Sequence, residues 1–92
     1  MHKNLDVREI TSFKKDIKLI KKRNLPLEKL QNVVLALRSG KKLPRKLKDH
    51  ALKGNYRYHR ECHITPDWLL IYQIDRNELV LVRTGSHADL FK

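Results

Sequence analysis

The sequence predicts an α+β domain in two layers, in which an antiparallel sheet of about four strands packs against an N-terminal helical hairpin. Two observations lead to this fold class. Apolar residues recur at helical spacing through residues 13–39, whereas residues 54–92 contain short apolar runs separated by tight turns. A chain of 92 residues has room for a modest core, so we expect a single domain over residues 1–92.

The N-terminal part is expected to form a short strand over residues 5–10, followed by two helices. Thr11 or Ser12 can cap the first helix. Pro26 suits the first position of the second helix, and Gly40 suits the residue immediately after its end. Lysines cover the surface that the apolar residues leave free, so the predicted hairpin has one apolar face and a basic outer face.

The lysine-rich segment over residues 41–53 shows no periodicity, and Pro44 falls within it. We therefore expect a loop or an extended segment, with a disordered linker as the alternative. Three leucines, Leu43, Leu47 and Leu52, are expected to anchor this segment on the domain.

Three further strands are expected after Gly54, over residues 57–64, 68–74 and 79–84. Because the turns between them are short, they predict an antiparallel meander. Side chains in the first of these strands alternate between two faces. One face carries Tyr58, Cys62 and Ile64, and the other carries His59, Glu61 and His63.

Nothing in the sequence indicates export or membrane insertion. No apolar run approaches the ~20 residues that span a bilayer, and residues 1–6 lack the apolar core of a secretory signal. Cys62 is the only cysteine, which excludes an internal disulfide; we expect it to be buried and inert. The chain is therefore expected to be a cytoplasmic protein without membrane contact.

The excess positive charge is confined to the N-terminal part. The formal net charge is +11; residues 1–53 contain 16 Lys and Arg against 5 Asp and Glu, and residues 54–92 contain 5 of each kind. This division predicts that one part attracts a polyanion while the other supplies the sheet and the specific chemistry. The alternative is that lysine-rich helices serve only solubility, but at this charge on so short a chain we expect a nucleic-acid partner.

Several histidines are placed where the predicted meander can bring them together. His63 lies near the end of the first strand of the meander, and Asp67 lies in the turn that follows. Arg83 and His87 lie at the end of the last strand, and His50 lies in the basic segment. This set suits metal-free cleavage of RNA, which needs a base for the 2′-hydroxyl, an acid for the departing 5′-oxygen and positive charge for the phosphorane.

The same residues allow other interpretations. Each histidine taken singly can be a surface or hydrogen-bonding residue. A zinc site would use His50, His63, Asp67 and His87. Their spacing matches no standard zinc signature and the positive charge opposes a cation, so we expect no metal and no cofactor.

Two aromatic residues also have two interpretations each. Trp68 either belongs to the core or lies half exposed at the exit of a turn, where it can stack on a base. Phe91 either fixes the end of the domain on the sheet or stacks on a base.

Four ordered motifs closely resemble the YafQ branch of the RelE/ParE toxin superfamily. They are Asp49–Gly54, Arg60–Ile64, Pro66–Tyr72 and Arg83–Phe91. The segment Phe13–Asp16 in the first helix is similar to the same family. The resemblance covers nearly the whole chain; Ala88 departs from the serine expected at that position, but this removes no ionisable group.

The resemblance implies an mRNA endonuclease of a toxin–antitoxin pair that cuts mRNA in the ribosomal A site. It also implies a cognate antitoxin and a small antiparallel sheet packed on helices. Carried over to this sequence, the implied catalytic set is His50, His63, Asp67 and His87, with Trp68 and Phe91 as supporting substrate contacts. His87 is the first choice for the general acid, and Asp67 or His50 is the expected base. We add Arg83 as a phosphate contact.

With this resemblance, the charge division suggests that the basic part docks on ribosomal RNA through phosphate contacts. The candidate docking residues are Lys14, Lys18, Lys21, Lys46 and Lys48. The antitoxin is expected to present acidic and apolar groups to this surface, and the free toxin is expected to be a monomer. Two alternatives stay open: a gyrase-poisoning toxin on the same fold, as in the ParE branch, and a non-catalytic RNA-binding module.

Overall fold

The computed structural model describes residues 4–91, which form one five-stranded sheet, three α-helices and two short 3-10 turns. The α-helices are α1 (Thr11–Lys22), α2 (Leu27–Arg38) and α3 (His87–Leu90). The strands are β1 (Asp6–Glu9), β2 (His50–Ala51), β3 (Arg60–Thr65), β4 (Trp68–Asp75) and β5 (Glu78–Gly85). The 3-10 turns lie at Arg45–Leu47 and Gly54–Tyr56. The α+β class is confirmed, and none of the helices within residues 4–91 is long and apolar enough to cross a lipid bilayer.

The sheet has the strand order β1-β5-β4-β3-β2 and differs in two ways from the predicted antiparallel sheet of about four strands. β3, β4 and β5 do form the predicted antiparallel meander. β1, however, pairs in parallel with β5, so that Asp6 lies beside Glu78. No short turn joins these two strands, so nothing local dictates antiparallel pairing. The fifth strand, β2, adds two residues at the other edge within the segment expected to be a loop.

Apolar side chains form a core on each face of the sheet. The larger core joins α1 and α2 to sheet residues such as Leu70 and Leu79, which confirms that the helical hairpin packs on one face. The smaller core lies on the opposite face and consists of Leu69, Ile71, Val80, Val82 and Leu90. β4 contributes to both cores, which explains why its sequence is apolar on both faces.

α1 closes the edge of β5 beyond the point where β1 ends. Ser12 Oγ donates a hydrogen bond to the Val82 carbonyl at 2.8 Å. The Thr84 amide donates to Asp16 Oδ2 at 3.0 Å. Ser12 and Asp16 are four residues apart and share one face of the helix, so α1 satisfies two backbone groups of a strand that would otherwise be an open edge.

The ends of the helices differ in detail from their predicted positions. Ile10 is the N-cap of α1, so the expectation that Thr11 or Ser12 caps this helix is wrong. Pro26 is the N-cap of α2, one residue before its predicted place. Gly40 follows the C-cap of α2 as predicted, with a φ of +74° that glycine adopts without a steric penalty.

The segment between α2 and β3 is more ordered than its sequence suggests. Leu43 and Leu47 pack against the larger core and Leu52 packs against the smaller one, which confirms the expected anchors. Tyr58, expected within the strand that carries His63, lies outside it. Its φ is +71° and 80% of its surface is exposed, so β3 begins later than the alternation predicts.

Candidate active site

One row of residues across the strands places polar side chains on the sheet face opposite the helical hairpin. His50 in β2 pairs with Glu61 in β3. Glu61 pairs with Ile71 in β4, which pairs in turn with Arg83 in β5. Paired residues point to the same face, and neighbouring strands lie about 5 Å apart, so this row runs from His50 to Arg83. Ile71 belongs to the smaller core, which identifies the face.

A second row lies beside the first, nearer to one end of the sheet. His63 pairs with Leu69, and Leu69 pairs with Gly85. Asp67 is exposed in the turn between β3 and β4. His87 is also exposed and starts α3, two residues after Gly85. The topology therefore places His63, Asp67 and His87 at the same end of the sheet.

His50, Glu61 and His63 form a close polar cluster on this face. Glu61 Oε1 lies 3.9 Å from Nε2 of His50 and 3.5 Å from Nε2 of His63. The two imidazole rings are 6.5 Å apart between centroids. The side chain of Glu61 is 7% exposed, whereas those of His50 and His63 are 50% and 25% exposed. A buried carboxylate thus lies beside two accessible imidazoles.

The other ring nitrogen of each histidine faces a backbone carbonyl. Nδ1 of His50 lies 2.6 Å from the Lys48 carbonyl oxygen, and Nδ1 of His63 lies 3.4 Å from that of Pro66. A carbonyl oxygen can only accept a hydrogen bond, so Nδ1 is the donor in both rings. Nε2 is therefore the atom through which each ring can exchange a proton, and both Nε2 atoms face Glu61.

Arg83 is held from the side by Asp16 of α1. Its Nε and Nη2 donate to the two carboxylate oxygens at 2.7 and 3.2 Å. The hydrogen bond to Asp16 raises the pKa of Arg83, so the guanidinium stays charged. The side chain is 26% exposed, which leaves part of the cation accessible to an anion from solvent.

Two aromatic side chains, Phe91 and Tyr56, lie at the end of the sheet where His87 lies. The ring centroids of His87 and Phe91 are 4.9 Å apart, and Phe91 meets Tyr56 edge-on at 6.0 Å. Phe91 also packs against the smaller core. It therefore fixes α3 on the sheet and at the same time presents a ring beside His87.

Hydrogen bonds to the Asp89 carboxylate fix the start of α3. The carboxylate accepts a hydrogen bond from the Ser86 amide at 2.9 Å and one from Arg23, the C-cap of α1, at 2.7 Å. The Arg23 hydrogen bond lowers the pKa of Asp89 well below its usual range. Gly85 has a φ of +156°, and a Cβ there would lie 3.0 Å from Asp89 Oδ2. The position of His87 therefore depends on Gly85 and on the ion pair between Asp89 and Arg23.

Trp68 lies in the core and not at the surface. It is 2% exposed and packs in the larger core. Its Nε1 donates to Thr84 Oγ1 at 2.8 Å, and that hydroxyl donates to the Leu69 carbonyl at 2.8 Å. Of the two interpretations of Trp68, the core one is confirmed and the half-exposed, base-stacking one is wrong, because the first residue of β4 points toward the helices.

Replacing Trp68 with phenylalanine should lower the free energy of unfolding by about 1–3 kcal/mol. The Thr84 hydroxyl loses its donor and a void opens in the larger core. Urea denaturation measures this effect, and the cleavage rate per folded molecule should be unchanged. A loss of cleavage without a loss of stability would instead place Trp68 in the substrate site.

Cys62 is fully buried, as expected. Burial raises the pKa of its thiol to about 12, so the thiol stays protonated at neutral pH. This environment is that of an inert core cysteine and not of a nucleophile.

The predicted docking lysines are exposed and lie in two places. Lys14, Lys18 and Lys21 lie on α1, and Lys46 and Lys48 lie in or beside the 3-10 turn that follows α2. Within residues 4–91, none of the five forms an ion pair. They are therefore available to a polyanion.

Two residues that organise this face, Glu61 and Asp16, were not among the predicted site residues. Glu61 lies two positions before His63 in the predicted strand, and this period of two was the signal that both share a face. Asp16 gave no local signal, because its partner Arg83 is 67 residues away along the chain.

The four residues considered for a zinc site are not grouped as metal ligands. In the part of the chain that the structure describes, no group of three or more His, Cys, Asp or Glu side chains is arranged to hold a metal ion. Metal-free chemistry stays a prediction that a chelator can test.

Comparisons with known proteins identify the relatives of this chain. Residues 5–92 match the family model described as a bacterial toxin of type II toxin–antitoxin system, YafQ. The mRNA interferase toxin YafQ of Escherichia coli strain K12 is 38% identical over 87 residues, which cover 94% of this chain and 95% of that protein. The toxin in the E. coli DinJ–YafQ toxin–antitoxin complex superposes with a TM-score of 0.89 at 36% identity, covering 98% of this chain and 100% of that one. A metal-bound toxin from Helicobacter pylori has a TM-score of 0.89 at 45% identity, covering 95% and 99% of the two chains. The chain therefore belongs to the YafQ family of toxins of type II toxin–antitoxin systems.

Proposed function

We propose that this chain is a ribosome-dependent mRNA endonuclease toxin that acts in the cytoplasm. The observation that carries the proposal is the buried Glu61 carboxylate beside the accessible imidazoles of His50 and His63. The cation Arg83 lies in the same row on the same sheet face. YafQ of E. coli is an mRNA interferase, and membership of the same family extends endoribonuclease activity to this chain.

The arrangement supplies the groups that RNA cleavage needs. The 2′-oxygen attacks the adjacent phosphorus while a base takes its proton; the bond to the 5′-oxygen breaks, and an acid protonates that oxygen. In this proposal His87 is the acid, and His50 or Asp67 is the base. Glu61 orients Nε2 of His50 and of His63 and stabilises the imidazolium that forms when a ring takes up a proton. The products are a cyclic phosphate and a 5′-hydroxyl, and no step uses a metal.

Substrate contacts come from the cation and the aromatic group on this face. Arg83 neutralises a phosphate oxygen, and its ion pair with Asp16 fixes the guanidinium before the substrate binds. Phe91 offers a ring beside His87 on which a base can stack. These contacts are too few to hold a message without the ribosome.

The ribosome supplies the remaining affinity in this proposal. Exposed lysines on α1 and near β2 neutralise phosphates of ribosomal RNA, and the ribosome holds the message over the histidine face. These docking residues are Lys14, Lys18, Lys21, Lys46 and Lys48.

A cognate antitoxin is the second partner. YafQ of E. coli was solved in complex with the antitoxin DinJ. We propose that the antitoxin of this chain presents acidic and apolar groups to its basic surface, and that the toxin without its antitoxin is a monomer.

The test is a map of the cut sites on a message translated by purified ribosomes. It compares the wild type with single alanine variants at His50, His63, Asp67 and His87. We expect cuts in the A-site codon from the wild type and a graded loss in all four variants. The control is His59→Ala, because the His59 ring hydrogen-bonds the Arg57 carbonyl and lies outside the cluster of His50, Glu61 and His63; it should cut normally. Loss of cleavage in only one of the four variants would contradict a site that all four residues share.

The same variants separate the alternatives when their toxicity in growing cells is measured beside the cut-site map. A gyrase-poisoning toxin would stay toxic after His63→Ala and His87→Ala. A non-catalytic RNA-binding module would leave the translated message intact even as wild type. Toxin that has been treated with EDTA and then freed from the chelator should cut normally on ribosomes, and a loss of cleavage that added zinc restores would contradict the metal-free mechanism.

A further inference from the structure

The residue that precedes β2 is fixed on the sheet face opposite the histidine cluster. Asp49 accepts a hydrogen bond from the Tyr72 hydroxyl at 2.6 Å and two from the Arg60 guanidinium at 3.3 and 3.4 Å. Arg60 and Tyr72 are paired residues of β3 and β4, so their side chains point to the same face. Tyr72 belongs to the larger core, which identifies this face as the one that carries the helices. We call the contact of Asp49 with Arg60 and Tyr72 the Asp49 anchor.

Both donors of the Asp49 anchor keep their protons at neutral pH. Burial, together with the hydrogen bond to Asp49, raises the pKa of Tyr72 above its usual range, so the hydroxyl stays a donor. The hydrogen bond to Asp49 also raises the pKa of Arg60, so the guanidinium stays charged. Tyr72 lies in the central strand and is 1% exposed, whereas the Arg60 side chain is 44% exposed. The Tyr72 hydroxyl is therefore the contact that is better shielded from water.

β2 has little packing of its own to hold it against β3. It is two residues long, and both residues are exposed. After β2, Leu52 packs in the smaller core, and its amide donates to the His59 carbonyl at 3.0 Å. Before β2, Lys48 has a φ of +49°, a left-handed conformation that a lysine adopts at a cost in free energy. The Asp49 anchor fixes the chain between this strained residue and His50.

Asp49 and His50 are neighbours in the chain, and their side chains point to opposite faces of the sheet. Successive side chains of an extended segment alternate in direction, so a carboxylate fixed on the helix side directs the next side chain toward Glu61. His50 Nε2 lies 3.9 Å from Glu61 Oε1, and His50 Nδ1 donates to the carbonyl of Lys48. Movement of Asp49 would therefore displace the imidazole and also the carbonyl that sets its tautomer.

We infer that Asp49 is a positioning residue for RNA cleavage, and that Tyr72 fixes Asp49 from the central strand. The inference rests on the proposed function, because the Asp49 anchor acts on the reaction through His50. An imidazole that exchanges a proton with the substrate must lie within hydrogen-bond reach of it, so a small displacement slows the reaction strongly. Asp49 and Tyr72 themselves lie on the other face of the sheet and touch no reacting atom.

The test measures single-turnover cleavage of a translated message by Asp49→Asn and Tyr72→Phe. Asparagine keeps the shape of aspartate without its charge, and phenylalanine keeps the ring in the core without the hydroxyl. We expect cleavage about tenfold slower per folded molecule in each variant. The matched controls are Asp75→Asn and Tyr58→Phe, which make the same chemical changes at exposed positions. Both controls should cut at the wild-type rate.

Two further measurements distinguish the positioning of His50 from a general loss of stability. In the His50→Ala background, Asp49→Asn should slow cleavage by less than a further twofold, because its effect passes through the missing imidazole. A long-range proton–nitrogen NMR spectrum, recorded where the rings are neutral, should show His50 as the Nδ1–H tautomer in the wild type. Asp49→Asn should produce a mixture of tautomers at His50 and leave the signals of His59 and His87 unchanged.

Several results would overturn the inference. Wild-type cleavage rates per folded molecule in Asp49→Asn and Tyr72→Phe would do so, even if both variants unfold more easily, since the Asp49 anchor would then serve stability alone. A further tenfold loss from Asp49→Asn in the His50→Ala background would also do so. If His50→Ala cut at the wild-type rate, the proposed role of His50 would be wrong, and the inference with it. If His50→Ala is slow and Asp49→Asn is not, only the inference is wrong.

Discussion

Replacing Glu61 with glutamine should slow the cleavage of a translated message by about 10²- to 10⁴-fold. The amide has the shape of the carboxylate but not its charge, so a proton taken up at Nε2 of His50 or His63 is no longer stabilised. Glu61 is almost completely buried and its Oε1 lies 3.5 Å from His63 Nε2, so water replaces this interaction poorly. The variant should keep a cooperative unfolding transition.

Single-turnover cleavage on ribosomes across a range of pH measures this effect. If Glu61 acts through the imidazole of His63, the double variant Glu61→Gln/His63→Ala should be no slower than the slower single variant. The control is Glu78→Gln, which changes a carboxylate that is 41% exposed and pairs with Arg8. It should cut at the wild-type rate. If the cleavage rate of Glu61→Gln were within twofold of the wild-type rate, Glu61 would have no role in the mechanism.

Asp16→Ala should lower the free energy of unfolding by about 3 kcal/mol. Asp16 accepts hydrogen bonds from Arg83 Nε at 2.7 Å and from the Thr84 amide at 3.0 Å, and its side chain is only 14% exposed. Its removal leaves a partly buried guanidinium and an edge amide without an acceptor. Cleavage should fall as well, because Arg83 is then no longer fixed against the phosphate.

Urea denaturation with an unchanged m-value tests the effect of Asp16→Ala on stability. Asp16→Asn should have an intermediate effect, since the amide oxygen can still accept from Thr84. The matched control is Glu78→Ala, which breaks the exposed pair with Arg8 and should cost less than about 1 kcal/mol. Equal losses from Asp16→Ala and Glu78→Ala would show that the Asp16 contact does not hold the edge of the sheet.

Periodicity alone predicted the helical hairpin and the meander, because both depend on which face of a single segment is apolar. Gly40 at the end of α2 and the leucines that anchor the segment after it follow the same local logic. The resemblance added the toxin family, and the family model confirms it.

Contacts between distant segments could not be predicted in this way. Ser12 has the right residue type and position to cap a helix, yet its hydroxyl bonds Val82, 70 residues away. The sequence left Trp68 with two interpretations, and the direction of the first side chain in β4, which places it in the core, decides between them. The parallel pairing of β1 with β5 could not be predicted either, because no short turn joins the two strands.

The sequence indicates which residues lie near each other in the candidate site. It says less about how their side chains are arranged. His63, Asp67 and His87 follow from the order of strands and turns, since the meander brings their positions to one end of the sheet. The place of His50 depends on β2, a strand too short to leave a pattern in the sequence. Glu61 was visible only as a residue that shares a face with His63, because burial beside two imidazoles is a property of the folded sheet.

The pairing of β1 and α1 with β5 has a consequence for how the toxin is made. The bonds from Ser12 to Val82 and from Thr84 to Asp16 join residues 70 and 68 positions apart. A nascent chain therefore carries its first strand and helix without their partner until β5 has left the exit tunnel. The cation of the site, Arg83, lies in that last strand. The site of this toxin is thus assembled only after β5 has been synthesised.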